Sequence, residues 1–165
     1  MGFNYQHFPA FRDLSPAQFE SFVRLGQFGK VPPGELLVRQ GVPGTRIFFL
    51  IAGTVRVHLD TEGGDCELNR ITAPTVIGEI SFFSGEPSSA HVTTLSESMV
   101  LMVRFRTLRE QLHQGNAAAA IVMLHLASQI AVRAATMTER VSELYGRQVE
   151  LQSTAKHLFG EWSFL

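Results

Sequence analysis

Hydrophobic and polar positions change their period twice along this chain. Near the start, "LSPAQFESFVRL" places Phe19, Phe22 and Val23 on one face of a helix. Ser15 is positioned to cap that helix, Pro16 suits its first turn and Gln18 completes a capping box. Gly26 and Gly29 are expected to end it. From Val31 to Phe105 the period becomes two, punctuated by "PPGE", "GVPG", "AG", "EGGD" and "SGEP". In "TVRVHLD", Val55, Val57 and Leu59 alternate with Arg56, His58 and Asp60, which predicts a strand with one wet face. "EGGD" reads as a hairpin turn, because glycine tolerates the positive φ such turns need. Many short strands at regular spacing predict an antiparallel β-barrel or double-sheet jelly roll. Phe48, Phe49, Phe82 and Phe83 are assigned to its core.

The helical period then returns. "TLREQLHQ" predicts a short helix, and a proline-free segment predicts a long one over 117–152. Met123, Ile130, Met137, Leu144 and Leu151 recur every seven residues, with Ala127, Ala134 and Val141 four residues behind the first three. That is the a/d stripe of a coiled coil. A helix of about 36 residues is about 54 Å long, more than one barrel can cover. The exposed remainder predicts a parallel homodimer through this stripe. The fold class is therefore α+β: residues 1–116 a jelly roll with an N-terminal helix, 117–152 a dimerisation helix, and 153–165 an apolar tail. Leu158, Phe159, Trp162, Phe164 and Leu165 make that tail apolar enough to fold back on the barrel or dock on a protein partner.

Composition narrows the function. The chain has 165 residues, 45% of them apolar, enough for one domain with a core. A net charge of −1 argues against a surface that tracks nucleic acid, but not against a small anionic ligand. One cysteine, Cys66, excludes an internal disulfide and points to a reducing, cytoplasmic setting. No signal peptide or membrane span is expected. The six histidines show no short paired spacing and there is no CxxC, so no metal site is predicted. Ser81 or Ser88 with His91 would not form a hydrolase triad, because no G-x-S-x-G elbow exists. The chain is read as a non-enzyme.

"GEISFFSGEPSSAHV", Gly78 to Val92, has the makings of a loop that wraps a small anion, yet it carries no lysine or arginine. Together with "GELLVRQGVPGTRIFFLIAGTVRV" (Gly34 to Val57) and the long helix, it resembles the cyclic nucleotide-binding domains of the catabolite-activator type. The resemblance runs from about Phe8 to Leu151. It implies that Gly78 and Glu79 receive a ribose, with Glu79 accepting from its 2′-hydroxyl. It also implies that the amides of Ile80 and Ser81 face a phosphate, and that Thr138 touches the base of cyclic AMP or cyclic GMP. Where the family has Pro-Arg-small-Ala-Thr/Ser, this chain has Pro87-Ser88-Ser89-Ala90-His91. Ser88 stands in the place of the phosphate-pairing arginine.

Removing one partner of a buried charge pair costs about 2–5 kcal/mol, roughly thirty-fold to several-thousand-fold in affinity at about 1.4 kcal/mol per tenfold. Three readings of the cassette stay open: a purely structural loop, a pocket for a different ligand, and partial replacement of the arginine by a protonated His91. Arg56, Arg70 and Arg104 are candidates to supply the charge from other strands. The resemblance also implies a helix-turn-helix domain after the dimer helix in DNA-binding relatives. The 14 residues after Leu151 cannot build one, so no DNA reading is expected. The sequence thus predicts a dimeric regulatory or adaptor domain with a weak ligand site, or alternatively a ligand-free protein–protein interaction module.

Overall fold

Ser15 begins the first helix as its residue type requires. Its side chain accepts a hydrogen bond from the Gln18 amide, and the Gln18 side chain accepts one from the Ser15 amide in return. The computed structural model describes residues 4–159, with side chains described through residue 147. Helix α1 spans Pro16–Val23 and stops before Gly26. Gly26 and Gly29 therefore do not end it; they lie in strand β1, Gly26–Val31. At Gly26 a side chain would run into the Met102 carbonyl and Leu101 of the neighbouring strand, so the position needs a glycine for close approach.

The remaining strands are β2 (Leu36–Val38), β3 (Arg46–Ala52), β4 (Thr54–Thr61), β5 (Gly64–Thr72), β6 (Thr75–Ile77), β7 (His91–Thr94) and β8 (Ser98–Arg104). Helix α2 (Glu79–Ser84) follows β6, α3 (Phe105–His113) follows β8, and α4 spans Ala117–Phe159. The strands form two four-stranded antiparallel sheets, ordered β1-β8-β3-β6 and β2-β7-β4-β5. This is the jelly roll that the alternating pattern predicts. The "EGGD" turn closes the β4–β5 hairpin, where Thr61 pairs with Gly64.

Strand β3 is the hinge of the packing. Its alternation sends Ile47 and Phe49 to one side and Phe48 and Leu50 to the other. Phe49 packs with Phe8, Phe11 and Phe22 from the N-terminal segment and α1. Phe48 and Leu50 meet Val55 and Val92 of the opposite sheet. The N-terminal Phe8 and Phe11, which no period assigns to the core, are as buried as any residue in it. Of the phenylalanines assigned to the core, Phe83 departs: it is exposed, while Phe48, Phe49 and Phe82 are buried.

The chain divides into two units, residues 1–127 and 128–165. The first turns of α4 belong to the first unit, since Ala118, Ala119, Val122, Met123 and Leu126 are buried in its core. Met123 is thus spent on the barrel rather than offered to a dimer seam. In the second unit Ala134, Met137, Val141 and Leu144 are exposed, and the helix continues past the expected end at Gln152 to Phe159. The Leu151 side chain and residues 160–165 lie outside what is described. Within Ala117–Arg147 an 18-residue window reaches a mean hydropathy of 1.5, long and apolar enough by composition to cross a membrane. The expectation of no such stretch is corrected on that count. The burial of its first turns in a protein core is nonetheless what a helix of a globular domain shows.

Candidate functional site

The cassette is built from a left-handed turn. Gly78 adopts φ +88°, and a side chain at this position would stand 2.7 Å from the Arg46 carbonyl oxygen. Glycine lets β6 turn directly into α2 against the start of β3. Glu79 and Ser81 are buried, Ile80 points outward, and Ser88 is buried while Ser89 is exposed. The Ser81 and Ser88 hydroxyls are hydrogen-bonded to each other at 3.1 Å. The two ends of the cassette are thereby clasped by a neutral pair.

Ser88 is also fixed by its backbone. Its amide donates to the Val42 carbonyl at 3.1 Å, and its carbonyl accepts from the Gly41 amide at 2.8 Å. Pro43 and Pro87 form an isolated bridge alongside. The connection between β2 and β3 is therefore strapped to the cassette. Between them opens a cleft of about 370 Å³, lined by Glu35 to Arg39, Val42 to Arg46, Phe48, Gly78 and Ser88. That volume falls within the range of small-ligand pockets.

Arg39 and Arg46 are the cations of this cleft, and no residue pattern singled them out. Arg46 shares a pleat face with Phe48 and Leu50, so period two along β3 was the available signal. The three arginines expected from sequence go elsewhere. Arg56 binds Asp65 at 2.7 Å, and Arg70 binds Glu67 at 2.7 Å. Arg104 lines a second cleft of about 540 Å³ with Ser81, Arg109 and His113, on the α3 side of the cassette. Arg109 there lies over the Phe82 ring at 5.4 Å.

His91 does not face the cleft. Val55, Val57 and Val92 turn toward the core, so alternation puts Arg56, His58, His91 and Thr93 on the outer face of the β2-β7-β4-β5 sheet. His91 Nδ1 accepts from the Gln40 amide at 3.2 Å, which leaves its proton on Nε2 to donate to Asp60 at 3.1 Å. Both nitrogens are engaged, and the idea that His91 replaces the missing arginine is corrected. His58 stacks on His91 with centroids 5.0 Å apart and contacts Asp65 and Thr93. Sequence spacing showed no such pairing, because it arises from β4 lying beside β7. His58, Asp60 and Asp65 bring ligand atoms within 4.8 Å of one another, a spacing that could hold a metal ion. Arg56 and His91 already supply partners to the two carboxylates. The Arg56 hydrogen bond holds the Asp65 carboxyl below its ordinary value; desolvation, the next effect in size, opposes it, and the His58 hydrogen bond adds to the lowering. The Arg70 hydrogen bond does the same for Glu67. Cys66 is exposed on β5, with its thiol free.

Thr138 lies in the second unit, on an exposed stretch of α4 with Ala135, Glu139, Ser142 and Glu143. Its hydroxyl donates to the Ala134 carbonyl at 3.1 Å.

Comparison with known proteins gives this geometry a context. A cyclic nucleotide-gated potassium channel of Mesorhizobium japonicum is 34% identical over 93 residues, which are 56% of this chain and 24% of the channel. The cAMP-activated global transcriptional regulator CRP of Salmonella typhimurium is 29% identical over 117 residues, 70% of this chain and 54% of the regulator. The chain thus spans a quarter to about half of these relatives. The crystal structure of the Thermus thermophilus catabolite activator protein superposes with a TM-score of 0.72 at 20% identity, over 83% of this chain and 63% of that one. A profile of the cyclic nucleotide-binding domain matches residues 28–114, from β1 through the cassette to α3, and the chain belongs to that family.

Proposed function

We propose that this chain is a non-catalytic regulatory domain that senses a small anionic ligand in the cassette cleft and acts as a homodimer through α4. The observation that carries the reading is the cassette itself. Gly78 holds the left-handed turn, Glu79 is buried at 4% exposure beside it, and a cleft of ligand size opens next to Ser88. In this reading Glu79 accepts from a ribose hydroxyl, and Ile80 and Ser81 offer backbone amides. The ligand is a cyclic nucleotide, cyclic AMP or cyclic GMP, bound more weakly than a site with an arginine at 88 would bind it. Cytoplasmic placement fits the single exposed cysteine.

The dimer rests on α4. Met137, Val141 and Leu144 are exposed at heptad spacing, and that apolar stripe supports a contact with a second copy of the chain.

A second reading is a ligand-free protein–protein interaction module. The Ser81–Ser88 hydrogen bond favours it, since it satisfies both hydroxyls without a ligand. Calorimetry with cyclic AMP and cyclic GMP separates the two. Heat of binding that disappears in Glu79→Ala supports the first reading. A flat titration with both nucleotides at millimolar concentration leaves the second.

A further inference from the structure

The cleft beside the cassette contains two arginines that the family pattern does not assign. Resting on the ligand reading above, we propose that the anion anchor of this domain has moved from position 88 to the β2–β3 connection and its flanks, where Arg39 and Arg46 receive the phosphate.

Three observations converge on this. The first is placement: Arg39 and Arg46 line the same cleft as Gly78 and Ser88. The second is attachment. The Gly41 amide donates to the Ser88 carbonyl, the Ser88 amide donates to the Val42 carbonyl, and the Arg46 carbonyl stands against Gly78. The connection that carries both arginines is therefore held against both ends of the cassette, and the anchor does not depend on a free loop. The third is charge. The lining residues carry two guanidinium groups, Arg39 and Arg46, against one carboxylate, Glu35. Among the described residues neither arginine forms an ion pair, whereas Arg56, Arg70 and Arg106 each bind a carboxylate at 2.7 Å.

The chemistry matches a cyclic phosphodiester, which carries a single negative charge and two exocyclic oxygens. A guanidinium presents two N–H groups in a plane to such a pair of oxygens. Cations on the β2–β3 connection attract the phosphate from the side of the cleft that faces Ser88. Ser88, short and bonded to Ser81, leaves the space that a long side chain at this position would fill.

The test is isothermal titration calorimetry of the full chain with cyclic AMP, cyclic GMP and the neutral nucleoside adenosine. Both arginines are exposed, so Arg39→Ala with Arg46→Ala should keep the fold, checked by its melting curve. The expected result is at least tenfold weaker binding of the preferred cyclic nucleotide in the double variant, with adenosine changed less than twofold. Adding Ser88→Arg to the double variant should recover at least tenfold. If the double variant melts early, Arg46→Lys and Arg39→Lys are compared singly; each should weaken the nucleotide and not adenosine. Equal binding of a cyclic nucleotide by wild type and double variant overturns the relocated anchor and leaves the ligand reading standing. Binding by Ser88→Arg but not by wild type overturns the relocated anchor and leaves the ligand-free reading of the wild type. Absence of binding in both wild type and Ser88→Arg overturns the anchor and the ligand reading together.

Discussion

Replacing Gly78 by alanine tests whether the cassette turn is held by backbone conformation alone or also by close packing. Gly34 supplies the control. The two glycines have nearly the same φ, +88° and +86°, but a Cβ at Gly34 would meet nothing within 4 Å. A Cβ at Gly78 would stand 2.7 Å from the Arg46 carbonyl oxygen. The left-handed conformation costs an alanine roughly 1–2 kcal/mol at either position. At Gly78 the carbonyl must also move, and overpacking of that kind costs about 1–3 kcal/mol more. For a chain of this size each kcal/mol lowers Tm by about 2–4 °C. Gly34→Ala should therefore melt roughly 2–8 °C below wild type, and Gly78→Ala a further 2–12 °C below that. Thermal unfolding followed by circular dichroism at one protein concentration gives both numbers. Because the atom displaced belongs to Arg46, Gly78→Ala should also weaken nucleotide binding, while Gly34→Ala should not. Equal melting temperatures for the two variants would refute the close approach of Arg46 to the cassette turn.

Changing Ile130 and Met137 together to Lys should convert a dimer into a monomer in sedimentation velocity, because like charges would face each other at the seam; a wild type that sediments as a monomer at tens of micromolar would defeat the dimer. Ser88→Arg alone should tighten cyclic nucleotide binding by about tenfold, or about 1.4 kcal/mol, and adding Glu79→Ala should remove much of the gain; a folded variant with unchanged affinity contradicts this. The Arg56–Asp65 pair predicts a pH dependence: the carboxyl is held low in the folded state, so its contribution is present at neutral pH and is lost as pH falls through the folded value, below the ordinary value of 3.8. The melting gap between wild type and Arg56→Ala should therefore be small, since Asp65 is exposed, visible near neutral pH and closed at the acid end; a gap that widens in acid refutes the pairing.

The alternation in "TVRVHLD", the capping box at Ser15 and Gln18, and the glycine-rich turns were enough to call helix α1, the jelly roll and its strands apart from β1 and β6. Each of these signals is local, since a pleat or a cap is set by residues within a few positions of one another. The long helix was legible for the same reason, but its use was not. Met123 fits the heptad as well as Met137, and only the packing of α4 on the barrel puts the first in the core and leaves the second exposed. The cassette's departure from its family at Ser88 could be read in sequence, while its consequence could not. Arg39 and Arg46 lie 49 and 42 residues before Ser88, and they reach its cleft because the β2–β3 connection hydrogen-bonds to the cassette. The three arginines favoured on sequence were drawn instead to carboxylates, or in the case of Arg104 to the neighbouring cleft. His91 was likewise ambiguous until β4 came to lie beside β7, which turned it away from the cleft and stacked it on His58. Residue type and period state what each segment can form. Strand pairing over long sequence distances decides which side chains meet, because that partner choice depends on burial summed over the whole barrel and not on any neighbouring residue.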